Sequence, residues 1–523
     1  MKLLIPFLII LAAGCASTKD SDPVVTMAGG QVQGLMLDNG GAVFKGIPYA
    51  QPPVGDLRWR EPIPVEPWVG VRDTTEYGPM CAQVPVFLVE GQDTSEDCLT
   101  LNVWAPEWPV TSGLPVMVWI PGGGNFAGGS GIDMTDGESL SSHGVVVVSF
   151  NYRLGPFGFF AHPALTLESP HNVSGNQGIL DQIAALKWVQ NNIGEFGGDP
   201  ENVTVFGVSA GSLNASVLMT TSLSQGLFHR VIGQSGNAIH AGKPLSLQEA
   251  EEHGQAKASR WKVPTDASPE DLRAVPVSVI LAAESDTQGE TTTVITSLPS
   301  LGIVVDGYVF QREPSQVFAA GQQHGLPLML GSNAREQIPL VSLPTDLAGA
   351  IAKEYGPLAE QAQSLYQGDA DPHYGTPVEQ WGTDTSFRCS TVTQLLWHAA
   401  AGNPAFEYEF ARIPKGHEAL GATHVVEVNY VFGTLDQGIS GKGPLVPATQ
   451  ADFQISDAMQ KYWTNFAKTG DPNGGDLPIW SRFNTSSRAY MQFTDSGPVA
   501  MEGLRRPFCD LYIENIKRLM GPK

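Results

Sequence analysis

In VTVFGVSAGSLNASV, the pentad Gly207-Val208-Ser209-Ala210-Gly211 stands between a β-branched apolar run and a stretch of helix-forming residues. A serine on a sharp strand-to-helix turn is lifted above the sheet edge. Glycine is needed two residues to either side because flanking side chains would collide in so tight a turn. The helix that follows offers unpaired N–H groups and the positive end of its dipole to developing negative charge. This suits attack on a carbonyl by Ser209. A serine hydroxyl is a poor nucleophile until a base takes its proton, so a histidine and a carboxylate must lie elsewhere in the chain.

Eleven histidines compete for the role of base. His424, in GATHVVEVNYVFG, lies in a glycine-containing loop after an expected strand, late in the chain, in the order serine, acid, histidine. His417, beside Lys415 and Glu418, reads as solvated, and His143 precedes a glycine turn. For the carboxylate, Glu336 in LPLMLGSNAREQIPL follows an apolar strand at its expected C-terminal end, where α/β sheets gather their sites. Spacing alone leaves Asp384 and Glu427 as competitors. The triple glycine of WIPGGGNFAGGS follows another apolar strand, and its bare backbone can approach a substrate closely. The N–H groups of Gly123, Gly124 and Ala210 are therefore assigned as donors to an oxyanion.

The elements that must hold these residues are legible as short buried runs bounded by glycine, proline or asparagine. Strands are expected at 114–120, 145–152, 202–207, 326–332 and 405–410. Between the second and third, Ile179, Ile183, Leu186, Val189 and Ile193 recur at helical spacing. A later helix in ISDAMQKYWTNFAKTGDPN is stopped by Gly470 and Pro472. Strand, helix, strand in alternation predicts an α/β fold, a mainly parallel sheet with helices on both faces and long inserted loops.

The 523 residues, 42% hydrophobic and 16% charged, exclude disordered and fibrous classes and supply a large core. A formal charge of −23 argues against nucleic acid or an anionic membrane surface as partner. The N-terminus, MKLLIPFLIILAAGCAS, has an apolar run too short to span a bilayer. It reads as a signal peptide over 1–14 ending in a lipobox-like Leu-Ala-Ala-Gly-Cys, with Cys15 lipidated and 15–22 a short tether. No linker, charge block or repeat divides the rest, so 23–515 is expected to be one domain. The membrane is then met only through the lipid at Cys15, and the protein is expected to be extracytoplasmic, anchored in a bacterial envelope; the alternative is a plain cleaved signal in which Cys15 is incidental and the protein is secreted. Cys81, Cys98, Cys389 and Cys509 remain, and four cysteines allow three pairings among which sequence does not choose. The short loop makes Cys81 with Cys98 the first expectation, leaving Cys389 with Cys509. No Cys-x-x-Cys spacing points to metal or redox chemistry.

Together FKGIPYAQPPVGDLRW, SEDCLTLNVWAP, NQGILDQIAALKWVQNNIGEFGGDPENVTVFG and YWTNFAKTGDPN, ordered along nearly the whole chain, resemble the type B carboxylesterase and cholinesterase family, which includes bacterial para-nitrobenzyl esterase-like members. The resemblance implies an α/β-hydrolase fold and carboxylic ester hydrolysis through an acyl-serine, with a small-molecule ester as substrate and no metal or other cofactor. By motif it carries the triad onto Ser209, Glu336 and His424, the oxyanion donors onto Gly123, Gly124 and Ala210, and a supporting serine onto Ser235. Both cysteine pairings match family disulfides. Three positions depart from the family: Val208 where an acid usually precedes the nucleophile, Ser212 where glycine is usual, and Pro121 where histidine or tyrosine precedes the glycines. No tryptophan lies between Cys81 and Cys98, so the aromatic platform of choline-ester enzymes has no visible counterpart. With the acid at 208 also missing, neutral esters are expected over cationic ones. The alternatives are a non-catalytic adhesion-type binding protein, which an intact triad disfavours, and acyl transfer to an acceptor other than water.

Overall fold

The computed structural model describes residues 22–85, 93–111, 113–239, 243–288, 302–336, 343–437 and 446–521. The expected signal peptide, Cys15 and all but the last residue of the expected tether lie outside them. No helix among the described residues is long and apolar enough to cross a membrane.

Eleven strands form one sheet among these residues. In chain order they are β1 (Leu35–Met36), β2 (Ala42–Pro48), β3 (Thr100–Ala105), β4 (Leu114–Ile120), β5 (Val146–Phe150) and β6 (Gly198–Val208). Then come β7 (Arg230–Gln234), β8 (Leu328–Asn333), β9 (Ala405–Phe410), β10 (Ala489–Thr494) and β11 (Gly497–Glu502). Spatially the order is β11-β10-β9-β8-β7-β6-β4-β5-β3-β2-β1. Every pairing from β10 to β5 is parallel, and the pairings at both margins are antiparallel. The expected α/β-hydrolase arrangement, a mostly parallel sheet, is therefore present.

Strand side chains alternate between faces, and here both faces are buried. Val116, Val118 and Ile120 of β4 join one apolar cluster with Ile179, Ile183, Leu186 and Val189 of α1 (Gln177–Asn192) and Leu213 and Val217 of α2 (Ala210–Leu218). Met117 and Trp119, one residue out of step, join the other cluster with Met459, Trp463 and Phe466 of α4 (Gln450–Thr469). Helix α3 (Cys389–Ala400) and the C-terminal α5 (Arg506–Met520) complete the first layer through Val392, Leu395, Cys509 and Tyr512. The strands thus read as continuous apolar runs because neither face meets water.

The expected elements are present with shifted ends. Strand β6 begins four residues earlier than its β-branched core suggests, and β5 stops two residues short of Tyr152. The last expected turn of α1, Ile193–Phe196, is a 3₁₀ turn closed by Gly197 at φ 84°. Gly470, at φ 78°, ends α4 in the left-handed conformation glycine accepts most readily. Both expected disulfides are formed, Cys81 to Cys98 and Cys389 to Cys509, with Cα separations of 5.0 and 4.7 Å. The second fastens α5 to the start of α3.

Candidate active site

Ser209 caps α2 at φ 55° and ψ −122°, a backbone state that non-glycine residues seldom occupy and that is held only where surroundings enforce it. The enforcement comes from both neighbouring strands. The Ser209 N–H donates to the Gln234 carbonyl at the end of β7 over 2.8 Å. A Cβ on Gly211 would lie 2.0 Å from the Ile120 carbonyl at the end of β4, and one on Gly207 2.7 Å from the same oxygen and from Gly211 itself. The two glycines are therefore needed against a neighbouring strand as well as against each other.

The glycine loop after β4 lies directly on this turn. A Cβ at Gly122 would be 2.7 Å from the Val208 carbonyl and 3.3 Å from Ser209 Cβ. Gly123 and Gly124 have φ of 115° and 63°, and a side chain on Gly123 would strike the Ala127 carbonyl at 2.0 Å. The loop folds back on itself, with Phe126 and Ala127 N–H groups donating to the Gly123 carbonyl at 3.1 and 3.0 Å. Gln83, two residues past Cys81, grips its far end: its amide donates to the Gly128 carbonyl and accepts from the Gly128 N–H, each at 2.8 Å.

Glu336 follows β8 by three residues and is buried. One carboxylate oxygen accepts from the Asn333 N–H and from the Ser235 hydroxyl, both at 2.6 Å, and the other meets His424 Nδ1 at 2.6 Å. Two donors on one oxygen leave the second aimed at the imidazole. Ser235 ties this pair to Ser209. It sits at φ 53° just past β7, between Gln234, which accepts from Ser209, and Gly236, where a Cβ would lie 2.2 Å from the Ser209 carbonyl. The structure thus brings Glu336, His424 and Ser235 into hydrogen-bond contact and stacks Ser209, Ala210, Gly123 and Gly124 at the adjoining C-terminal ends of β4, β6 and β7.

The competing carboxylates are engaged elsewhere. Asp384 accepts from Arg388 at 2.5 Å and Arg505 at 2.8 Å. Glu427, fully buried, accepts from Asn333 at 2.6 Å and Gln234 at 3.2 Å. Burial first, and the nearby charge of Glu336 second, push the Glu427 carboxyl up to about 7.

Several residues that sequence reading missed brace these groups. Arg388, buried on the turn before α3, donates to the carbonyls of Asn333 and Ala334 at 3.2 and 2.7 Å, just ahead of Glu336. Thr383 accepts from the Glu336 N–H at 3.1 Å, and the Phe387 ring lies 4.8 Å from that of His424. Asn333 also donates to the Thr423 carbonyl at 2.6 Å, joining the acid loop to the histidine loop. These are contacts between segments some 40 to 90 residues apart in sequence, for which local patterns carry no signal.

The three departures find places. The Ser212 hydroxyl donates to the Gly236 carbonyl at 2.6 Å, and the Pro121 carbonyl accepts from Tyr152 at 3.1 Å. Val208 is only 4% exposed and packs in the cluster that holds Trp119 and Phe206. Position 208 therefore belongs to the core.

Residues 21–512 match the model of the carboxylesterase family. A fumonisin B1 esterase of Sphingopyxis macrogoltabida is 37% identical over 90% of this chain and 86% of its own, and a liver carboxylesterase of Sus scrofa is 34% identical over 92% and 91%. Among solved structures, a thermophilic PNB esterase superposes with a TM-score of 0.81 at 32% identity, covering 94% of this chain and all of that one. A Geobacillus stearothermophilus carboxylesterase gives 0.81 at 31%, covering 94% and 99%. The sheet, the strained serine and the whole-length likeness agree: this chain belongs to the carboxylesterase family and is a serine carboxylesterase of α/β-hydrolase fold.

Proposed function

We propose that the enzyme hydrolyses neutral small-molecule esters with Ser209 as nucleophile, His424 as general base and Glu336 as the acid that orients it. The observation that carries this reading is the Glu336 carboxylate, bound on one side by Ser235 and the Asn333 N–H and on the other by His424 Nδ1. Accepting the Nδ1 proton leaves Nε2 as the basic nitrogen. His424 takes the Ser209 proton as the hydroxyl oxygen attacks the ester carbonyl. The N–H groups of Gly123, Gly124 and Ala210 meet the resulting oxyanion, for which the start of α2 is already polarised. The imidazolium protonates the departing alcohol and leaves the acyl group on Ser209. Water then attacks the acyl carbon, losing a proton to His424; the bond to Ser209 breaks, the serine oxygen takes that proton back, and the carboxylic acid leaves.

Location belongs to the same proposal. Two disulfides suit an oxidising compartment, and the lipobox-like sequence before Cys15 suits an envelope lipoprotein whose catalytic domain, 23–515, stands outside the cytoplasm. The test is a panel of esters graded in acyl and alcohol size, run on the mature domain and on Ser209→Ala. Turnover confined to the wild type supports the assignment, and equal turnover in both overturns it.

A further inference from the structure

The two halves of the oxyanion site come from separate elements: Gly123 and Gly124 from the loop after β4, and Ala210 from the first turn of α2. The catalytic reading needs their N–H groups at a fixed separation, since misplacement by about 1 Å can cost on the order of a hundredfold in rate. Asn125 follows the glycines, and Asn214 lies on α2 five residues after Ser209. Their amides face each other reciprocally. Asn125 Nδ2 donates to Asn214 Oδ1 at 3.2 Å, and Asn214 Nδ2 donates to Asn125 Oδ1 at 2.8 Å.

This pair is built into the core. Asn125 is 2% exposed and Asn214 fully buried. The Tyr152 hydroxyl, also buried, lies 3.0 Å from Asn125 Oδ1, 3.1 Å from the Pro121 carbonyl and 3.4 Å from Asn214 Nδ2. With one proton it donates to one of the two oxygens at a time and accepts from Asn214. Asn125 itself is left-handed at φ 60°, which asparagine tolerates better than most residues. Its carbonyl accepts from the Gly155 N–H at 2.7 Å, anchoring the loop from the other side. Side-chain amides buried among apolar helices and strands carry a desolvation cost that their hydrogen bonds to each other and to Tyr152 offset. An alanine or leucine on α2 at position 214 would pack without that cost, so the pair requires a reason beyond filling space.

We infer that Asn125 and Asn214 are positioning residues whose reciprocal amide contact sets the oxyanion loop against the nucleophile helix and so fixes the donor geometry that the transition state requires. The inference rests on the catalytic roles proposed above for Ser209, Gly123, Gly124 and Ala210. Neither asparagine is assigned contact with substrate, so its loss acts on kcat and leaves substrate binding largely intact.

The test is a double-mutant cycle on the full mature chain with Asn125→Gly, which accepts the left-handed backbone, Asn214→Ala and the double variant. Asn214→Ser, a smaller perturbation of α2, is included should the alanine variant fail to fold. Three quantities are read with a para-nitrophenyl ester: kcat, KM, and the inhibition constant of an alkyl trifluoromethyl ketone, whose tetrahedral adduct places an oxyanion in the site. Each single variant is expected to lower kcat on the order of tenfold or more, with KM changed less than about twofold. Ketone affinity should fall in parallel, and the double variant should be no worse than the worse single one. Unchanged kcat and ketone affinity alongside a lowered Tm would overturn the inference, as would effects that simply multiply. A wild type that neither turns over the ester nor binds the ketone would instead sink the catalytic reading on which the pair depends.

Discussion

Removing the Ser209 hydroxyl takes away the nucleophile while leaving the Cβ that fits against Gly122, so Ser209→Ala should keep the fold and lose on the order of a millionfold in turnover. His424→Ala should be comparably severe. Glu336→Gln keeps the shape but lets the imidazole settle in the wrong tautomer, and a fall of roughly ten-thousandfold in kcat is expected. A near-normal rate would reassign the acid, with Glu427 the nearest alternative. Glu427 also makes a prediction of its own. Its carboxyl is raised from 4.5 to about 7 by burial and by Glu336. Between those values the unfolded chain has released its proton while the folded chain still holds it, so stability is fully present below pH 4.5 and falls as pH rises through about 7. Glu427→Gln removes that slope. The Tm of the variant relative to wild type should therefore rise from pH 5 to pH 8, and a difference independent of pH would contradict the shift. At this scale the sequence was informative about reacting groups and silent about their supports. Ser209 and the glycines announce themselves through a local turn that few other residues can make. Spacing left Glu336 level with Asp384 and Glu427 and the family resemblance picked it out; the contacts of Ser235, Asn333 and Arg388 that support the choice exist only after the strands align.

The elements hold the site by different means on its two sides. The Glu336 side is carried by strand ends and by Arg388 on the turn before α3, whereas the Gly123–Gly124 side, proposed to hold the oxyanion, depends on a loop that Gln83 grips two residues from a disulfide. The two disulfides should therefore behave differently when removed. Cross-linking 17 and 120 residues apart restrains the unfolded chain by about 3 and about 5 kcal/mol in the chain-entropy account. Opening Cys389 to Cys509 should lower Tm most, because it frees α5 from α3. Opening Cys81 to Cys98 should cost less stability but reduce kcat severalfold, because Gln83 is then less firmly held against Gly128. Paired serine substitutions at each bridge, scored for Tm and kcat, check this, and equal activity losses per degree of Tm would contradict the link through Gln83. Element identity was legible wherever both faces of a strand are buried, as at 114–120 and 146–150, since an apolar run between breakers admits little else. Ends were less so: β6 begins before its β-branched run, where pairing with β4, shifted between Gly198 and Val203, sets the boundary.

For the molecule as a whole, a formal charge of −23 would draw cations toward the surface, yet it acts across water and is screened beyond about 8 Å at physiological ionic strength. Val208 in the core offers no carboxylate to the site and the loop from Cys81 to Cys98 no tryptophan, so kcat/KM for a neutral dimethylbutyl butyrate should exceed that for butyrylcholine at physiological salt. The reverse order would reveal an aromatic or acidic group lining the pocket. The proposed anchoring is separable from catalysis: under that proposal the lipid at Cys15 is the hydrophobic tether, so Cys15→Ala should release active enzyme from membranes, and retention of that variant on membranes would refute lipidation. The overall architecture was the most legible level of all, because alternating buried strands and amphipathic helices leave few ways to cover both faces of a sheet. What ties the scales together is the claim that Ser209 forms an acyl-enzyme with Glu336 and His424 behind it. The most direct measurement is peptide mass mapping after rapid acid quench of the enzyme with a para-nitrophenyl ester. An acyl mass increment is expected on the peptide containing Ser209, formed in step with the burst of nitrophenol and absent from Ser209→Ala; an increment on another residue, or nitrophenol release undiminished in that variant, would rule out Ser209 as the nucleophile.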